Sequence, residues 1–117
     1  MIRNPGQLEA LLADTRAFVR ECWHPIENQI EQLDEVPEDI VKELQQRGFF
    51  GWSIPQAYGG LGLSTEELIL AAFEISQASV ALRARVGTNT GIGSEALVAD
   101  GTEDQKQRWL PRMATGE

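Results

Sequence analysis

The sequence predicts an all-α protein, an antiparallel bundle of about six helices with one long, packed, glycine-rich loop. Apolar residues recur at the three- and four-residue spacing of buried helix faces, and proline or capping residues mark most helix starts. No segment shows the two-residue alternation of a strand or the Asn-Gly signal of a hairpin. We therefore expect the 117 residues to form one domain, 1–117.

Three helices are predicted ahead of the loop. Asn4-Pro5 pairs an N-cap residue with a proline at the first helical position, and the apolar spacing that follows predicts a helix over 5–22. Pro25 begins a short second helix. A third is predicted over 37–47, where acidic residues in the first turn favour the helix N-terminus and Gly48 is the expected C-cap.

Three more helices are predicted after the loop. Ser64-Thr65-Glu66-Glu67 is a capping box ahead of a helix over about 65–77, and the fifth helix begins at Val80. Thr102 and Gln105 form a second capping box at the start of the last helix. Pro111 lies inside the apolar pattern of that helix and is expected to kink or shorten it.

Charge and composition exclude several classes of function. Ten basic and eighteen acidic side chains give a net charge of −8, which disfavours nucleic acid or an anionic membrane as a partner. Cys22 is the one cysteine and His24 the one histidine, so neither an internal disulfide nor a zinc site is expected. With no apolar run of roughly 20 residues and no signal-peptide pattern, a cytoplasmic location is expected.

The stretch FFGWSIPQAYGGLGLS, from Phe49 to Ser64, has the composition of a phosphate loop or of a long turn. A phosphate loop needs a preceding strand and backbone amides aimed at the anion. The pattern here is GGxG, no strand is predicted before it, and it contains no Lys or Arg. We therefore prefer the turn, in which Gly59 and Gly60 adopt positive φ and the aromatic residues pack the loop against the helices.

A second glycine-rich stretch, 86–94, lies within the fifth helical pattern. Gly87 and Gly91 are four residues apart, so a helix would place both on the same side, next to Thr88. A face of small residues admits either a tightly packed helix or a ligand that approaches the backbone closely. The residues alone leave both alternatives open.

Few side chains in this sequence are candidates for ligand binding or catalysis. Arg83 and Arg85 precede the second glycine-rich stretch, and one of them lies on or beside its small face. An arginine there could hold a carboxylate through two parallel hydrogen bonds, and the alternative is a solvated surface charge. No pairing of histidine with an acid or a serine is indicated, so no catalytic residue is expected in this chain.

Several motifs occur in an order and spacing that carry a family resemblance. They are Gly48-Phe49-Phe50-Gly51, Ile54-Pro55 with Tyr58-Gly59-Gly60-Leu61-Gly62, the capped helix after Ser64, Gly101-Thr102-Glu103-Asp104-Gln105-Lys106, Trp109-Leu110-Pro111 and Ala114-Thr115-Gly116-Glu117. Together they resemble the N-terminal helical domain of the acyl-CoA dehydrogenases, from about residue 7 to the end of the chain.

The resemblance implies one part of an FAD-dependent oxidoreductase of fatty acid metabolism that also has a middle β-domain and a C-terminal helical domain. Such enzymes oxidise an acyl-CoA thioester between Cα and Cβ, with a glutamate as base and the flavin as hydride acceptor. They pass electrons to an electron-transfer flavoprotein and form homo-oligomers. The family's flavin-contacting segment would follow Glu117, so we expect a fragment that is inactive alone and binds flavin weakly or not at all.

The same resemblance implies a substrate-binding role for the fifth helix. In the family this helix, here about 80–100, forms part of the wall of the acyl-chain cavity, which implies that Gly87, Thr88 and Gly91 face the substrate. Glutaryl-CoA dehydrogenases carry an arginine on this helix for the distal carboxylate, and Arg83 aligns with it in a count back from Gly101. A substrate with an acidic tail is therefore one hypothesis.

Two other interpretations stay open at this point. One is the corresponding domain of an acyl-CoA oxidase, and the other is a stand-alone helical module for protein interaction. A domain that normally contacts other domains is expected to expose apolar surface, with Trp23, Trp52 and Trp109 as candidates, whereas a stand-alone module should cover it.

Overall fold

The computed structural model describes every residue, Met1–Glu117, and contains helices and turns but no strand, which confirms the all-α prediction. The α-helices are α1 (Pro5–Phe18), α2 (Glu27–Leu33), α3 (Glu38–Gln46), α4 (Thr65–Ile75), α5 (Val80–Gly87), α6 (Ser94–Asp100) and α7 (Glu103–Thr115). Two π-helical segments and three 3₁₀ turns join them: Val19–Trp23 and Thr88–Gly93, and His24–Ile26, Phe49–Gly51 and Gln56–Tyr58.

The π-helical segments extend α-helices that the sequence predicted. Val19–Trp23 continues α1, and Thr88–Gly93 joins α5 to α6 into one helical run from residue 80 to residue 100. When each π segment is counted with the helix that it extends, the chain has the six helices that were predicted. No helix in the chain combines the length and the apolar character needed to cross a bilayer.

The chain folds into two compact units. The first comprises Met1–Lys42 with Ser64–Arg83, and the second comprises Glu43–Leu63 with Ala84–Glu117. Each unit is therefore made of two separate stretches of the chain. The second unit contains the glycine-rich loop as far as Leu63 and the whole of the second glycine-rich stretch.

The first unit is organised by side-chain caps and a buried tryptophan. The Asn4 carboxamide accepts a hydrogen bond from the amide of Gln7 at 3.1 Å, as expected of an N-cap residue. Trp23 was a candidate for exposed surface, but it is fully buried. Its indole N–H donates to Glu27 Oε1 and Ser79 Oγ, both at 3.1 Å, so the polar edge of the ring is satisfied inside the core.

The start of α4 carries a buried carboxylate. Ser64 and Glu67 form the predicted capping box, and Glu67 also accepts a hydrogen bond from the amide of Arg3 at 2.7 Å. Hydrogen bonds from the Ser64 amide and then from the Arg3 amide lower the pKa of Glu67. This carboxylate ties the N-terminal residues to the first turn of α4.

The second unit is built around the packed loop. Phe49, Phe50, Trp52 and Ile54 are buried, and the Phe49 and Trp52 rings lie 5.0 Å apart at an angle of 45°. Trp52, which was also a candidate for exposed surface, is only 2% exposed. Of the three tryptophans that were candidates for surface, only Trp109 is exposed.

Backbone hydrogen bonds close the loop on itself. The amides of Leu61, Gly62 and Leu63 donate to the carbonyls of Gly51, Ile54 and Trp52, respectively, each at 2.8 Å. These bonds satisfy the backbone groups of a buried loop, which would otherwise be costly. The loop is therefore a packed element rather than a mobile one.

The reason for glycine differs along the loop. Gly59 has the expected positive φ of +86°, but Gly60 does not have a positive φ, and Gly62, at +60°, is the second left-handed position. At Gly60 there is no room for a side chain, because a Cβ atom there would lie 2.0 Å from the Ile54 carbonyl oxygen.

The last helix is longer than its proline suggested. α7 begins at the predicted capping box of Thr102 and Gln105 and runs through Pro111 to Thr115, so the proline does not shorten it. Gly116 then ends the helix with a φ of +76°.

Candidate functional site

The candidate site is centred on the π-helical segment Thr88–Gly93, which occupies most of the second glycine-rich stretch. At its end the Ser94 amide donates to the carbonyl of Asn89, five residues earlier, and to that of Gly91, three residues earlier. A π-helical turn of this kind is uncommon and is often found at functional sites. The change in pairing leaves backbone carbonyls that need other donors.

Two threonine hydroxyls of the segment bond to carbonyls of α5, just before it. The Thr88 hydroxyl donates to the Ala84 carbonyl, and the Thr90 hydroxyl donates to the Val86 carbonyl at 3.1 Å. Both are bonds to the carbonyl four residues earlier, which bend or adjust a helix rather than strengthen it. The two threonines thus stabilise the irregular turn from inside the helix.

The glycine-rich loop supplies two more contacts. The Ser53 hydroxyl donates to the Thr90 carbonyl and lies 3.1 Å from the Ser94 hydroxyl. A serine has one hydroxyl proton, so Ser94 is the donor in the bond to Ser53. Ser94 is fully buried, and this chain of bonds links the end of the π segment to the loop.

A single asparagine completes the attachment. The Asn89 carboxamide nitrogen donates to the Phe50 carbonyl at 2.9 Å and to the Met113 carbonyl at 2.8 Å. Both amide protons are therefore used, and the π segment is fixed to the loop and to the end of α7. We name these three contact residues, Ser53, Asn89 and Ser94, the clamp.

The clamp leaves one glycine facing open space. A Cβ atom added at Gly91 would meet no atom within 4 Å, whereas one at Gly93 would lie 3.1 Å from both Met113 Cε and the Thr88 carbonyl. Packing against a helix of this chain therefore accounts for Gly93 and not for Gly91. The next residue, Ile92, is 83% exposed, so the outer side of the turn carries apolar surface.

An open cleft of about 330 Å³ lies beside the π segment in the second unit. Arg85, Thr88, Asn89 and Gly93 line one side of it, and the other side is lined by Phe50, Gly116 and Glu117. Its volume is at the lower end of the range for small-molecule sites. Arg85 is exposed and has no acidic partner.

The structure gives the four predicted substrate-binding residues different surroundings. Thr88 is exposed and lines the cleft, while Gly87 and Gly91 are half-buried and do not line it. Arg83, in the first unit, is exposed and has neither a hydrogen bond nor an acidic partner. Its guanidinium is therefore not committed to an ion pair within the chain.

A second polar cleft, also of about 330 Å³, lies in the first unit. Arg16 pairs with Glu74 through two parallel hydrogen bonds, and the bond to Glu74 raises the pKa of Arg16. Arg20 and His24 follow on the same side, and His24 Nε2 lies 3.1 Å from the Gln77 carbonyl. Sequence reasoning did not predict this cluster, because its members lie in two parts of the chain more than 50 residues apart.

Two further ionisable groups are linked at the edge of the loop. The Tyr58 hydroxyl donates to both carboxylate oxygens of Glu103 at 3.0 Å. Burial and the bond to Glu103 raise the pKa of Tyr58, and bonds from Gln107 and then from Tyr58 lower the pKa of Glu103. No group of three metal-ligating side chains occurs in the chain.

Sequence reasoning located the π segment but missed the residues that hold it. Gly87, Thr88 and Gly91 were singled out because small residues at helical spacing are visible in a sequence. Asn89 and Ser53 were not, because their partners are backbone carbonyls that are 39 and 37 residues away. No composition or spacing signal marks such contacts.

Comparison with known proteins gives a consistent result. The family model for the acyl-CoA dehydrogenase N-terminal domain matches residues 6–117. The chain is 34% identical over 112 residues to (2S)-methylsuccinyl-CoA dehydrogenase of Cereibacter sphaeroides and 32% identical over 102 residues to an acyl-CoA dehydrogenase of Bacillus subtilis. These matches cover 95% and 87% of the chain.

A solved structure agrees with the sequence matches. Over 97% of its residues, the chain superimposes on an acyl-CoA dehydrogenase from Bacillus anthracis that was crystallised with FAD. The TM-score is 0.82 and the sequence identity is 29%. The chain spans only 20% to 27% of the length of these three proteins.

Proposed function

The chain belongs to the acyl-CoA dehydrogenase family, and we propose that it acts as the N-terminal helical domain of an FAD-dependent enzyme that oxidises an acyl-CoA thioester. In this proposal the helical run from residue 80 to residue 100 supplies part of the wall of the acyl-chain cavity. The observation that carries the proposal is the open face at Gly91, where a ligand can reach the backbone because no atom of the chain occupies that space.

The chemistry of the turn suits a wall for an acyl chain. The Thr90 carbonyl in the π segment accepts a hydrogen bond from Ser53, and the hydroxyls of Thr88 and Thr90 donate to carbonyls of α5, so these polar groups are already engaged within the chain. The surface it presents is small and apolar, with Gly91 and the exposed Ile92 side by side. An apolar chain can bury surface against it without leaving a polar group unpaired.

The flavin part of the proposal rests on the family. In this proposal FAD is held mainly by parts of the protein outside residues 1–117, as the family resemblance implies. Asn89, the amide side chain at the cleft, has both protons engaged by backbone carbonyls. We therefore assign no flavin-binding residue here, and we propose no catalytic step for this chain alone. An electron-transfer flavoprotein as acceptor and a homo-oligomer are part of the same proposal.

The proposal can be tested in a full-length protein that contains this domain. Acyl-CoA should reduce an artificial electron acceptor in a reaction that depends on FAD. Gly91→Leu should raise KM for acyl-CoA because the new side chain occupies the open space at the wall. Ala10→Leu, which adds a similar side chain at an exposed position of α1 outside the proposed wall, is the matched control and should leave KM unchanged. If the wild-type protein oxidises no acyl-CoA, the proposed function is wrong.

The substrate's tail is a finer proposal. Arg83 has no acidic partner in the chain, so its guanidinium is available to bind a carboxylate at the far end of the acyl group. The Cereibacter relative is named for such a substrate, because a methylsuccinyl group carries a carboxylate at its distal end. We propose an acidic-tail acyl-CoA as one candidate substrate class for this domain.

Two arginine variants separate this candidate from a plain aliphatic substrate. Arg83→Ala should lower kcat/KM for glutaryl-CoA much more than for butyryl-CoA, since only the first has a distal carboxylate. Arg85→Ala, two residues along the same helix, controls for a general loss of positive charge. Equal effects of Arg83→Ala on both substrates would contradict the acidic-tail proposal and leave the dehydrogenase proposal intact.

A further inference from the structure

The π segment has an unusual dependence on the glycine-rich loop. The contacts that fix it to other elements come from the clamp: Asn89 bonds to the loop and to α7, and Ser53 bonds to the Thr90 carbonyl and the Ser94 hydroxyl. At the start of the segment, the N-cap position is Gly87, which has no side chain and therefore makes no capping hydrogen bond. The conformation of the turn is thus set largely from outside the helix.

Loss of the clamp has a defined geometric consequence. A π-helical turn accommodates one residue more than an α-helical turn, and one residue of an α-helix corresponds to a rotation of about 100°. If the segment relaxed to α-helical pairing, Gly91 would rotate about the helix axis relative to α6, which packs against α7. Gly91 would no longer present its open face in the same direction.

We propose that Asn89 and Ser53 are positioning residues that determine which acyl chains the domain accepts, by holding the turn so that Gly91 faces the chain. This inference rests on the proposed function. It assigns a role to the glycine-rich loop as well, because residues 50–53 provide the carbonyl and the hydroxyl that the clamp needs. Neither Asn89 nor Ser53 contacts the substrate in this account.

The geometry makes the effect selective. An acyl chain long enough to lie against Gly91 senses the orientation of the turn, whereas a shorter chain does not reach it. A purely structural contribution of the clamp would lower activity on all chains alike, because it would reduce the amount of folded enzyme. The ratio of long-chain to short-chain activity is therefore the quantity to measure.

The test uses a full-length protein that contains this domain, with Asn89→Ala and Ser53→Ala variants and acyl-CoA substrates from butyryl-CoA to palmitoyl-CoA. Thr115→Ala is the matched control, because it removes a hydroxyl-to-carbonyl bond, to Arg112, at the exposed end of α7. For the longest chain that the wild type accepts, kcat/KM should fall about tenfold relative to butyryl-CoA, through KM rather than kcat. Thr115→Ala should leave the ratio unchanged.

Hydrogen exchange supplies a readout that does not depend on activity. Amides in the peptide that covers Thr88–Ser94 should exchange faster in both clamp variants than in the wild type. Unchanged exchange, or an equal loss of kcat/KM at every chain length, would overturn the inference. If Asn89→Ala fails to fold, Ser53→Ala decides alone, since it removes a single donor. If the wild-type protein oxidises no acyl-CoA, the proposed function is wrong, and this inference, which rests on it, is wrong as well.

Discussion

The two glycine-rich stretches of this chain look alike in the sequence and have opposite physical causes. In the loop, glycine is dictated by the chain itself, since a Cβ at Gly60 would overlap the Ile54 carbonyl. In the π segment, Gly91 is helical without a positive φ, and a Cβ atom added there would meet no atom within 4 Å. The fold does not need glycine at this position, and glycine weakens a helix. Its presence there agrees with the proposed contact between the turn and a ligand.

The largest expected difference between the two stretches is in stability. Gly60→Ala should lower the free energy of unfolding by roughly 3 kcal/mol or more, because the obstructing atoms are backbone and cannot move aside as a side chain can. Urea denaturation followed by far-UV circular dichroism measures this.

Gly59 provides the control for that substitution. It has φ of +86° but open space around its missing side chain, so Gly59→Ala should cost only roughly 1–2 kcal/mol, the penalty of a left-handed conformation. Equal losses at Gly59 and Gly60 would show that backbone conformation, and not crowding by Ile54, is the cause in the loop.

The stability of the two stretches should depend differently on pH, because only the loop is held at its end by an ionisable side chain. The loop ends at Ser64, whose amide is held by the ionised Glu67 carboxylate, and that bond lowers the pKa of Glu67. A depressed carboxylate pKa stabilises the fold above the unfolded-state value of about 4.3, and this stability is lost as the pH falls through the lower folded-state pKa. The clamp contains only Ser and Asn side chains, which do not titrate.

Hydrogen exchange can follow both ends during acidification. Below the unfolded-state pKa of Glu67, amides at the start of α4 should lose protection sooner than those of the π segment, after correction for intrinsic rates. Glu67→Gln should weaken the start of α4 at neutral pH and remove its additional acid dependence. Equal loss of protection at both ends would argue that the two stretches unfold together.

Much of this fold could be predicted because its signals are local. Asn4-Pro5 and the two capping boxes act within four residues, and each appears in the structure as predicted. Burial was harder to predict: Trp23 and Trp52 were candidates for apolar surface that faces other domains, yet both are buried, and Trp23 bonds to Ser79, 56 residues away. The second glycine-rich stretch was located, but its π-helical pairing and the residues that hold it were missed, because those residues are distant in the sequence.

The second glycine-rich stretch offers the smallest stability effect and the sharpest test of the comparison. Gly91→Ala should leave the free energy of unfolding unchanged or raise it by up to about 1 kcal/mol, because the helical backbone and the open space both accept a methyl group. Thermal and urea denaturation of this chain measure it, with Gly93→Ala as control, where Met113 Cε and the Thr88 carbonyl crowd the new atom. A clear loss of stability in Gly91→Ala would mean that the fold itself requires this glycine. A neutral or stabilising result, together with weaker use of acyl-CoA by a full-length protein, would mean that glycine is kept there for the ligand at the expense of the helix.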